Sequence, residues 1–286
     1  MEIMAPAKLN LYLEVFGKRL DGYHEIGTLF EKISIFDRIF LEISNFPTKI
    51  TAKGENIPTG EGSLLWNTIK TFKSVSGKDL DFTVDVKKNI PVAAGMGGGS
   101  SDAASLLRGL NEITGKNLSE KQLEDIAGAL GSDVTFFLKN TSFALGTGRG
   151  EIIKEVSTKM KLGHIIVNPP FKVSTKEVYG KHPGFALTKN KAWATMLTLF
   201  LNKNGVEDLL EYLRNDLQQI VLRESPAIGE IISFLRRVGA KQAMMTGSGP
   251  TVFGIFDAET MPKALIKVKE HFTREKGWRV YDAFTV

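Results

Sequence analysis

The stretch IPVAAGMGGGSSDAA, residues 90–104, carries the strongest local signal in this chain of 286 residues. Glycine has no side chain, so the backbone can approach a phosphate closely, and the N-terminus of a following helix attracts negative charge. The segment combines four glycines with two serines: Gly95, Gly97, Gly98, Gly99, Ser100 and Ser101. It therefore predicts a strand end, a phosphate-binding loop and a helix that begins near Ser101. The serine hydroxyls can cap this helix or bind a phosphate-coordinated Mg²⁺.

Two familiar phosphate-binding motifs do not fit the spacing of this segment. A Walker A loop needs a lysine, and no lysine lies between Gly95 and Leu107. A dinucleotide fingerprint needs a third glycine at the position of Ser100. The remaining alternative is a plain turn with a serine N-cap. In such a turn, four glycines in five positions would lose conformational entropy without any gain, so the pattern favours phosphate binding.

The apolar residues on both sides of this segment predict an α+β chain. Alternation and β-like composition predict strands at 9–13, 29–43, 82–86 and 134–138. Helical spacing predicts helices at 63–73, 101–113 and 119–130, the last with a capping box between Ser119 and Gln122.

The second half of the chain continues the mixture of helices and strands. Helices are predicted at 192–201, 206–213, 228–238 and 261–272. Strands are predicted at 243–245, 251–256 and 279–284, with a glycine loop at 247–249. A change to irregular, proline-bearing sequence places a domain boundary near residue 155, which gives domains 1–155 and 156–286.

Composition limits the functions that the chain can have. It contains no cysteine, which excludes disulfides, thiolate nucleophiles and cysteine-based metal sites, and its four histidines are widely separated. No apolar run reaches the roughly 18 residues of a membrane span, and the N-terminus lacks a basic region followed by an apolar one. We therefore expect a cytoplasmic protein with no membrane partner. The net charge of +5 is dispersed, which suits an anionic small molecule as readily as a nucleic acid.

Three motifs resemble those of the small-molecule kinase superfamily named for galactokinase, homoserine kinase, mevalonate kinase and phosphomevalonate kinase. Residues 91–104 resemble its ATP-binding motif, PAKLNL at 6–11 its N-terminal motif, and MTGSGPTVF at 245–253 its C-terminal glycine loop. The resemblance spans nearly the whole chain. It implies a two-domain GHMP-kinase-like fold, with a left-handed β-α-β crossover in the N-terminal domain and a ferredoxin-like C-terminal domain. Gly247, Ser248 and Gly249 are then expected to support the phosphate loop by close backbone approach.

Two shorter motifs narrow the resemblance, namely DGYH at 21–24 and GSDV at 131–134. Together with PAKLNL they resemble the branch that phosphorylates the 2-hydroxyl of 4-(cytidine 5'-diphospho)-2-C-methyl-D-erythritol. This acceptor is a cytidine diphosphate sugar alcohol of non-mevalonate isoprenoid biosynthesis. A mevalonate-type or homoserine-type kinase is the nearest alternative, although its acceptor has no nucleobase that would need an aromatic pair.

An RNA-binding module is an alternative of a different class. The superfamily's N-terminal fold resembles a ribosomal-protein domain, and the chain has an excess of basic residues. Nucleic-acid binders usually gather basic residues on one face with aromatic residues among them. Here the densest feature is glycine and serine, which suits a single phosphate chain. We therefore expect a small-molecule substrate, no nucleic-acid partner, and a monomer or weak homodimer.

Two residues are candidates for the chemistry of phosphoryl transfer, which needs positive charge near the phosphoryl group and an acceptor for the hydroxyl proton. The residues alone favour an N-cap or turn role for Asp133, in a constrained loop before a β-like run. The resemblance instead implies that Asp133 is the catalytic base. It also implies that Lys8, otherwise an ordinary solvated lysine of a strand, lies beside this aspartate and the transferred phosphoryl group.

Binding residues are expected on two sides of the reaction. The ATP side comprises Lys88, Pro91, Val92, Ala93, Ala94, Gly95, Met96, Gly97, Gly98, Gly99, Ser100 and Ser101, with Mg²⁺ expected to accompany ATP. The acceptor side comprises Asn10, Tyr23, His24, Phe30, Thr175 and Tyr179. Tyr23, His24 and Tyr179 would stack on cytosine or bind its edge. The ordinary alternatives are a solvated strand end for Lys88, core aromatic roles for Phe30 and Tyr179, and a surface role for His24.

Overall fold

A computed structural model describes residues 1–182, 206–274 and 276–286. Ten strands have the bounds β1 Glu2–Lys18, β2 His24–Ser44, β3 Lys49–Lys53, β4 Asp81–Lys87, β5 Phe143–Thr147, β6 Ile152–Val156, β7 Gly163–Asn168, β8 Gln242–Met245, β9 Val252–Phe256 and β10 Arg279–Phe284. The helices in these ranges are α1 Leu64–Ser76, α2 Gly98–Ile113, α3 Glu120–Leu130, α4 Ser132–Leu138, α5 Thr175–Lys181, α6 Val206–Leu210, α7 Gln218–Glu224, α8 Pro226–Arg237 and α9 Met261–Phe272. The predicted helix at 192–201 lies outside the described residues.

The chain divides into two compact units made of interleaved segments. Unit 1 contains Met1–Ala7, Ile35–Val92 and Gly97–Asn140. Unit 2 contains Lys8–Ser34, Ala93–Met96 and Thr141–Val286. The single boundary at residue 155, with domains 1–155 and 156–286, stays a prediction about the sequence.

Unit 1 combines a small mixed sheet with helices α1 to α4. The β4 strand pairs antiparallel with the second half of β2, from Arg38 opposite Lys87 to Ser44 opposite Asp81, and it pairs parallel with β3. Helix α1 buries Leu65, Ile69 and Phe72, which is the apolar face that its spacing predicts. The predicted capping box at the start of α3 is confirmed.

The structure corrects two predicted elements near the site. Residues 134–138 are predicted to be β-like but form most of helix α4, so Asp133 lies in the first turn of a helix and not in a loop. A short apolar run does not by itself distinguish a strand from a buried helix, and here all five residues are buried. Helix α2 begins at Gly98, three residues before the predicted start, and its N-cap is Gly97 with φ 70°, so neither serine caps it.

Unit 2 contains two antiparallel arrangements. In the first, β5 pairs with the first half of β2 and with β6. In the second, four strands have the order β10-β7-β9-β8. With α8 before β8 and α9 between β9 and β10, this sheet has the β-α-β-β-α-β pattern of ferredoxin-like folds, as predicted. Apolar residues of α8 and α9 form its core with the inner face of β7.

Other predictions have mixed outcomes. The helix predicted at 206–213 is shorter, since α6 covers Val206–Leu210, whereas the helix predicted at 228–238 corresponds to α8. The left-handed crossover stays a prediction. Within the three described ranges, no helix has the length and apolar character that a membrane span requires.

Candidate active site

The glycine segment is shaped by three residues in the left-handed region, Ala93 with φ 56°, Gly95 and Gly97, and by close packing. Gly95 and Gly97 have φ of 76° and 70°, a conformation that costs a residue with a Cβ about 1–2 kcal/mol. A Cβ on Gly95 would lie 2.6 Å from the backbone oxygen of Thr246, so glycine is also required for space. A Cβ on Gly98 would lie 3.0 Å from Cγ2 of Ile90. Gly95, Gly97 and Gly98 thus fix the path of the segment.

The start of α2 has the features of an anion site. A Cβ on Gly99 would meet no atom within 4 Å, so the backbone is open at this position. The Oγ of Ser101 is fully buried and has no hydrogen-bond partner among the described residues. Backbone N–H groups in the first turn of a helix have no intrahelical acceptor. An open face, free amides and an unsatisfied hydroxyl fit a phosphate with its coordinated cation.

Lys8 lies in a buried polar group within unit 2. Its backbone N–H donates to the carbonyl of Met96 over 3.0 Å, and its Nζ donates to Oδ1 of Asn10. The Nζ also lies 5.5 Å from the ring centroid of Phe30. The structure therefore brings together three predicted site residues, Lys8, Asn10 and Phe30. Because Lys8 is only 4% exposed, it is not the ordinary solvated lysine of its alternative interpretation.

The second glycine loop, residues 247–249, is held against this group. The N–H of Asn10 donates to Oγ1 of Thr246 over 2.9 Å, and a Cβ on Gly247 would lie 3.2 Å from Oδ1 of Asn10. The position of a Cβ on Gly95 is 3.1 Å from the carbonyl oxygen of Gly249. The close backbone approach expected of this loop is thus present.

Asn215 is a residue of this region that the sequence analysis missed. Its Nδ2 donates to the carbonyls of Met245 and Gly247, each over 2.8 Å. It is buried, and it lies opposite Leu13 in an isolated bridge between the two chain segments. The sequence around Asn215 gives no signal of this role, because the two carbonyls belong to residues 30 and 32 positions further along the chain.

Three of the predicted acceptor residues, Tyr23, His24 and Tyr179, belong to a second group in unit 2. The rings of His24 and Tyr179 have centroids 5.5 Å apart, and the guanidinium of Arg149 lies 4.8 Å from the ring centroid of Tyr23. Burial, followed by the charges of His182 and Lys18, lowers the pKa of His24 below its ordinary value. A neutral imidazole offers one donor and one acceptor, which suits the edge of a base.

The remaining acceptor candidates lie in different surroundings. Thr175, the first residue of α5, shares a hydrogen bond of 2.8 Å with Ser248, which joins it to the second glycine loop. Phe30 is fully buried and belongs with Lys8 and Asn10, not with the Tyr23 group. Arg149 was not predicted, although its place in the GTGRG turn is visible in the sequence.

Lys88 does not end a strand in solvent. Its Nζ donates to Asp37 and, over 2.6 Å, to Oδ2 of Asp102, and all three side chains are buried. Burial, opposed by Lys88 and reinforced by Asp37, raises the pKa of Asp102 to about 7. Contact between Lys88 and nucleotide stays a prediction. Asp102 could have been suspected from the sequence, since it stands four residues before Leu106 on the apolar face of α2.

Comparison with known proteins identifies the family. Residues 63–140 match the N-terminal domain of the GHMP kinases, and residues 196–274 match their C-terminal domain. The chain is 38% identical to a protein of Syntrophus aciditrophicus named 4-diphosphocytidyl-2-C-methyl-D-erythritol kinase, over 92% of each chain. It is also 38% identical to a protein of that name from Geobacter metallireducens, over 98% of this chain and 96% of the relative. The chain belongs to the GHMP kinases.

Solved structures agree with the assignment of this chain to the GHMP kinases. A crystal structure of 4-(cytidine 5'-diphospho)-2C-methyl-D-erythritol kinase matches with a TM-score of 0.80 and 26% identity, over 100% of both chains. A homoserine kinase from Cytophaga hutchinsonii matches with a TM-score of 0.77 and 16% identity, over 99% of this chain and 94% of that one. The second likeness shows the fold alone. The resemblance read from the three motifs and the two-domain α+β fold are therefore confirmed.

The two predicted catalytic residues belong to different units of this GHMP kinase. Asp133 is half-buried in the first turn of α4 in unit 1, and Lys8 is in unit 2. Their pairing stays a prediction. No three histidine, aspartate or glutamate side chains are grouped as metal ligands in residues 1–182, 206–274 and 276–286.

Proposed function

We propose that this GHMP kinase transfers the γ-phosphoryl group of ATP to the 2-hydroxyl of 4-(cytidine 5'-diphospho)-2-C-methyl-D-erythritol. The observation that carries the proposal is the identity of 38% with kinases named for this acceptor, over more than nine-tenths of the chain. The open backbone at Gly99 and the group of Tyr23, His24 and Tyr179 support it from the structure. Membership of a kinase family implies the use of ATP.

The glycine segment would hold the triphosphate of ATP. The free N–H groups at the start of α2 would donate to phosphate oxygens, and the helix dipole would favour their negative charge. Ser100 or Ser101 would hold Mg²⁺ together with the phosphates, and the Oγ of Ser101, which has no hydrogen-bond partner among the described residues, supports this role. When bound, Mg²⁺ neutralises charge on the β- and γ-phosphates.

Asp133 and Lys8 would carry the transfer itself. The 2-hydroxyl oxygen forms a bond to the γ-phosphorus, the bond from that phosphorus to the β–γ bridging oxygen breaks, and ADP leaves with that oxygen. The hydroxyl proton passes to the carboxylate of Asp133. The ammonium of Lys8 would keep that carboxylate ionised and stabilise charge on the transferred group.

The aromatic group of unit 2 would recognise the cytidine half of the acceptor. Cytosine would stack on Tyr23 or Tyr179, while His24 would hydrogen-bond its edge. The guanidinium of Arg149 already faces the Tyr23 ring and would hold it in orientation. Asn10, Phe30 and Thr175 would line the approach to the erythritol. Outside the site, we propose a cytoplasmic monomer or weak homodimer with no nucleic-acid partner.

A coupled assay of ADP release tests the proposal. The cytidylylated methylerythritol, mevalonate and homoserine are offered as separate acceptors with ATP and Mg²⁺. We expect turnover with the cytidylylated acceptor only. Turnover with mevalonate alone would contradict the acceptor and leave the kinase activity. RNA binding at physiological salt without any turnover would contradict the kinase activity as well.

A further inference from the structure

A buried cluster of three ionisable side chains lies against the start of α2. Lys88 directly follows β4, Asp37 belongs to β2 and Asp102 is the fifth residue of α2. The side chains of Lys88, Asp37 and Asp102 are 2%, 0% and 1% exposed. These three residues form the Lys88 cluster.

The Lys88 cluster contacts both ends of the glycine segment. On the strand side, Oδ1 of Asp37 accepts from the N–H groups of Asn89 and Ile90, over 2.6 and 2.9 Å, immediately before Pro91. On the helix side, Oδ2 of Asp102 accepts from Lys88 over 2.6 Å. One ammonium group therefore connects the chain that enters the segment with the helix that leaves it.

The packing at Gly98 places this connection next to the proposed phosphate site. A Cβ on Gly98 would lie 3.3 Å from the Nζ of Lys88, and the open position at Gly99 follows directly. The ammonium of Lys88 therefore packs directly against the first turn of α2, whose N–H groups are the proposed phosphate donors.

Stability alone does not account for such a cluster. Buried charges lose their hydration, and replacing a buried ion pair by well-packed apolar residues is often neutral or stabilising. Charge-assisted hydrogen bonds, however, define direction and distance more narrowly than apolar contacts do. The Lys88 cluster is thus better suited to fixing a geometry than to adding stability.

We propose that Lys88 is a positioning residue, which bridges Asp37 and Asp102 to hold the glycine segment in its nucleotide-binding conformation and does not itself touch the nucleotide. The inference rests on the proposed function, because it takes ATP as the ligand of this segment. Lys88 then affects ATP binding indirectly, through the backbone conformation of residues 91–101, and not through the direct contact that the sequence predicted.

Two substitutions at one position test the bridge. Asp102→Ala removes the acceptor on the helix side, whereas Asp102→Asn keeps an oxygen that accepts from Lys88. The dissociation constant for ADP, measured by calorimetry, should rise at least about 10-fold in Asp102→Ala and stay within about 3-fold of wild type in Asp102→Asn. The KM for ATP should follow the same order, while the KM for the cytidylylated acceptor stays within about 2-fold.

A direct contact would give the opposite result. If Lys88 bound the nucleotide itself, its release from Asp102 would leave the affinity for ADP unchanged or increase it. Equal dissociation constants for wild type and Asp102→Ala would therefore overturn the inference. Thermal unfolding of each variant checks that it is folded.

A second pair of variants addresses Lys88 directly. Lys88→Met should weaken ADP binding as Asp102→Ala does, and the double variant should show little further loss, since both changes remove one bridge. Losses that multiply would indicate an independent contact of Lys88 and overturn the inference. The proposed function fails on a different result, namely that wild type phosphorylates none of the acceptors. The ADP comparison then still decides the role of Lys88.

Discussion

The two glycine loops of this GHMP kinase have similar composition and opposite surroundings. In the first loop, residues 95–99, a Cβ on Gly99 would meet no atom within 4 Å. In the second loop, a Cβ on Gly247 would lie 3.2 Å from Oδ1 of Asn10, and one on Gly249 would lie 2.5 Å from Sδ of Met245. The first loop is open at the start of a helix, and the second is enclosed. A cluster of glycines therefore does not by itself distinguish a ligand loop from a packing loop.

The surroundings suggest different roles for the two loops. The first would bind phosphate through its backbone, and the second would keep the first loop and Asn10 in place. Changes in the open part of the first loop should affect nucleotide binding, and changes around the second should affect stability. Asp133, the proposed proton acceptor, belongs to neither loop.

The largest effect is expected outside both loops. Asp133→Asn removes the proposed base and should lower kcat at least about 100-fold, because a positioned base contributes about 10²–10⁴ in rate. The KM for ATP and the melting temperature should stay near wild type, since both loops are intact. Steady-state kinetics and thermal unfolding measure this, with Asp125→Asn, an exposed acid of α3, as control. Near-normal turnover of Asp133→Asn would remove Asp133 from the mechanism.

Two glycines of the first loop should respond in opposite ways. Gly95→Ala should lower the free energy of unfolding by about 3 kcal/mol. The alanine would have to adopt a left-handed φ, and its Cβ would clash with the carbonyl oxygen of Thr246. Gly99→Ala should leave stability unchanged or raise it by up to about 1 kcal/mol, since alanine favours helix. Its Cβ would nevertheless enter the open face and weaken ADP binding. Urea denaturation and calorimetry separate the two effects, and equal destabilisation would contradict the distinction.

A smaller effect is expected at the second loop. Asn215→Ala leaves the carbonyls of Met245 and Gly247 without their buried donor, which should cost about 1–2 kcal/mol of unfolding free energy. Chemical denaturation measures this, with Asn117→Ala as an exposed asparagine control. If Asn215→Ala weakened ADP binding with unchanged stability, the proposed difference between the loops would be wrong.

The smallest effect concerns the support of the first loop. The pKa of Asp102 is raised to about 7, so the folded protein keeps a proton there that the unfolded chain loses near its ordinary pKa of 3.8. The contribution of Asp102 to stability should therefore decrease as pH rises from about 4 to 7. In Asp102→Asn the unfolding free energy should depend less on pH between about 4 and 7. The change in slope should correspond to less than one proton, because Lys88 and Asp37 share the charge of the cluster. Chemical denaturation of wild type and Asp102→Asn at several pH values measures this. If the unfolding free energy of wild type minus that of Asp102→Asn rose between about pH 4 and 7, the expected sign would be wrong.

Much of the fold and the site follows from local sequence. Helix α1 and the capping box of α3 have apolar spacing and caps that nearby residues specify, whereas the ferredoxin-like domain was implied by the family resemblance. Local sequence does not predict β7, and it misassigns α4, because five consecutive apolar residues fit a strand as well as a buried helix. Its packing against α2 and α3 decides between them.

The sequence by itself determined that a glycine-rich segment precedes a helix and that three motifs of one kinase superfamily occur in order. Such signals depend on residues close together in the chain, where backbone conformation and side-chain spacing act directly. The tertiary structure decided which glycines are open, that Lys88 is buried between Asp37 and Asp102, and that Asn215 holds the second loop. Tertiary contacts of this kind join residues far apart in the chain, and the hydrogen bond between Asn10 and Thr246 spans 236 positions. Their hydrogen bonds and burial exist only once the chain has folded.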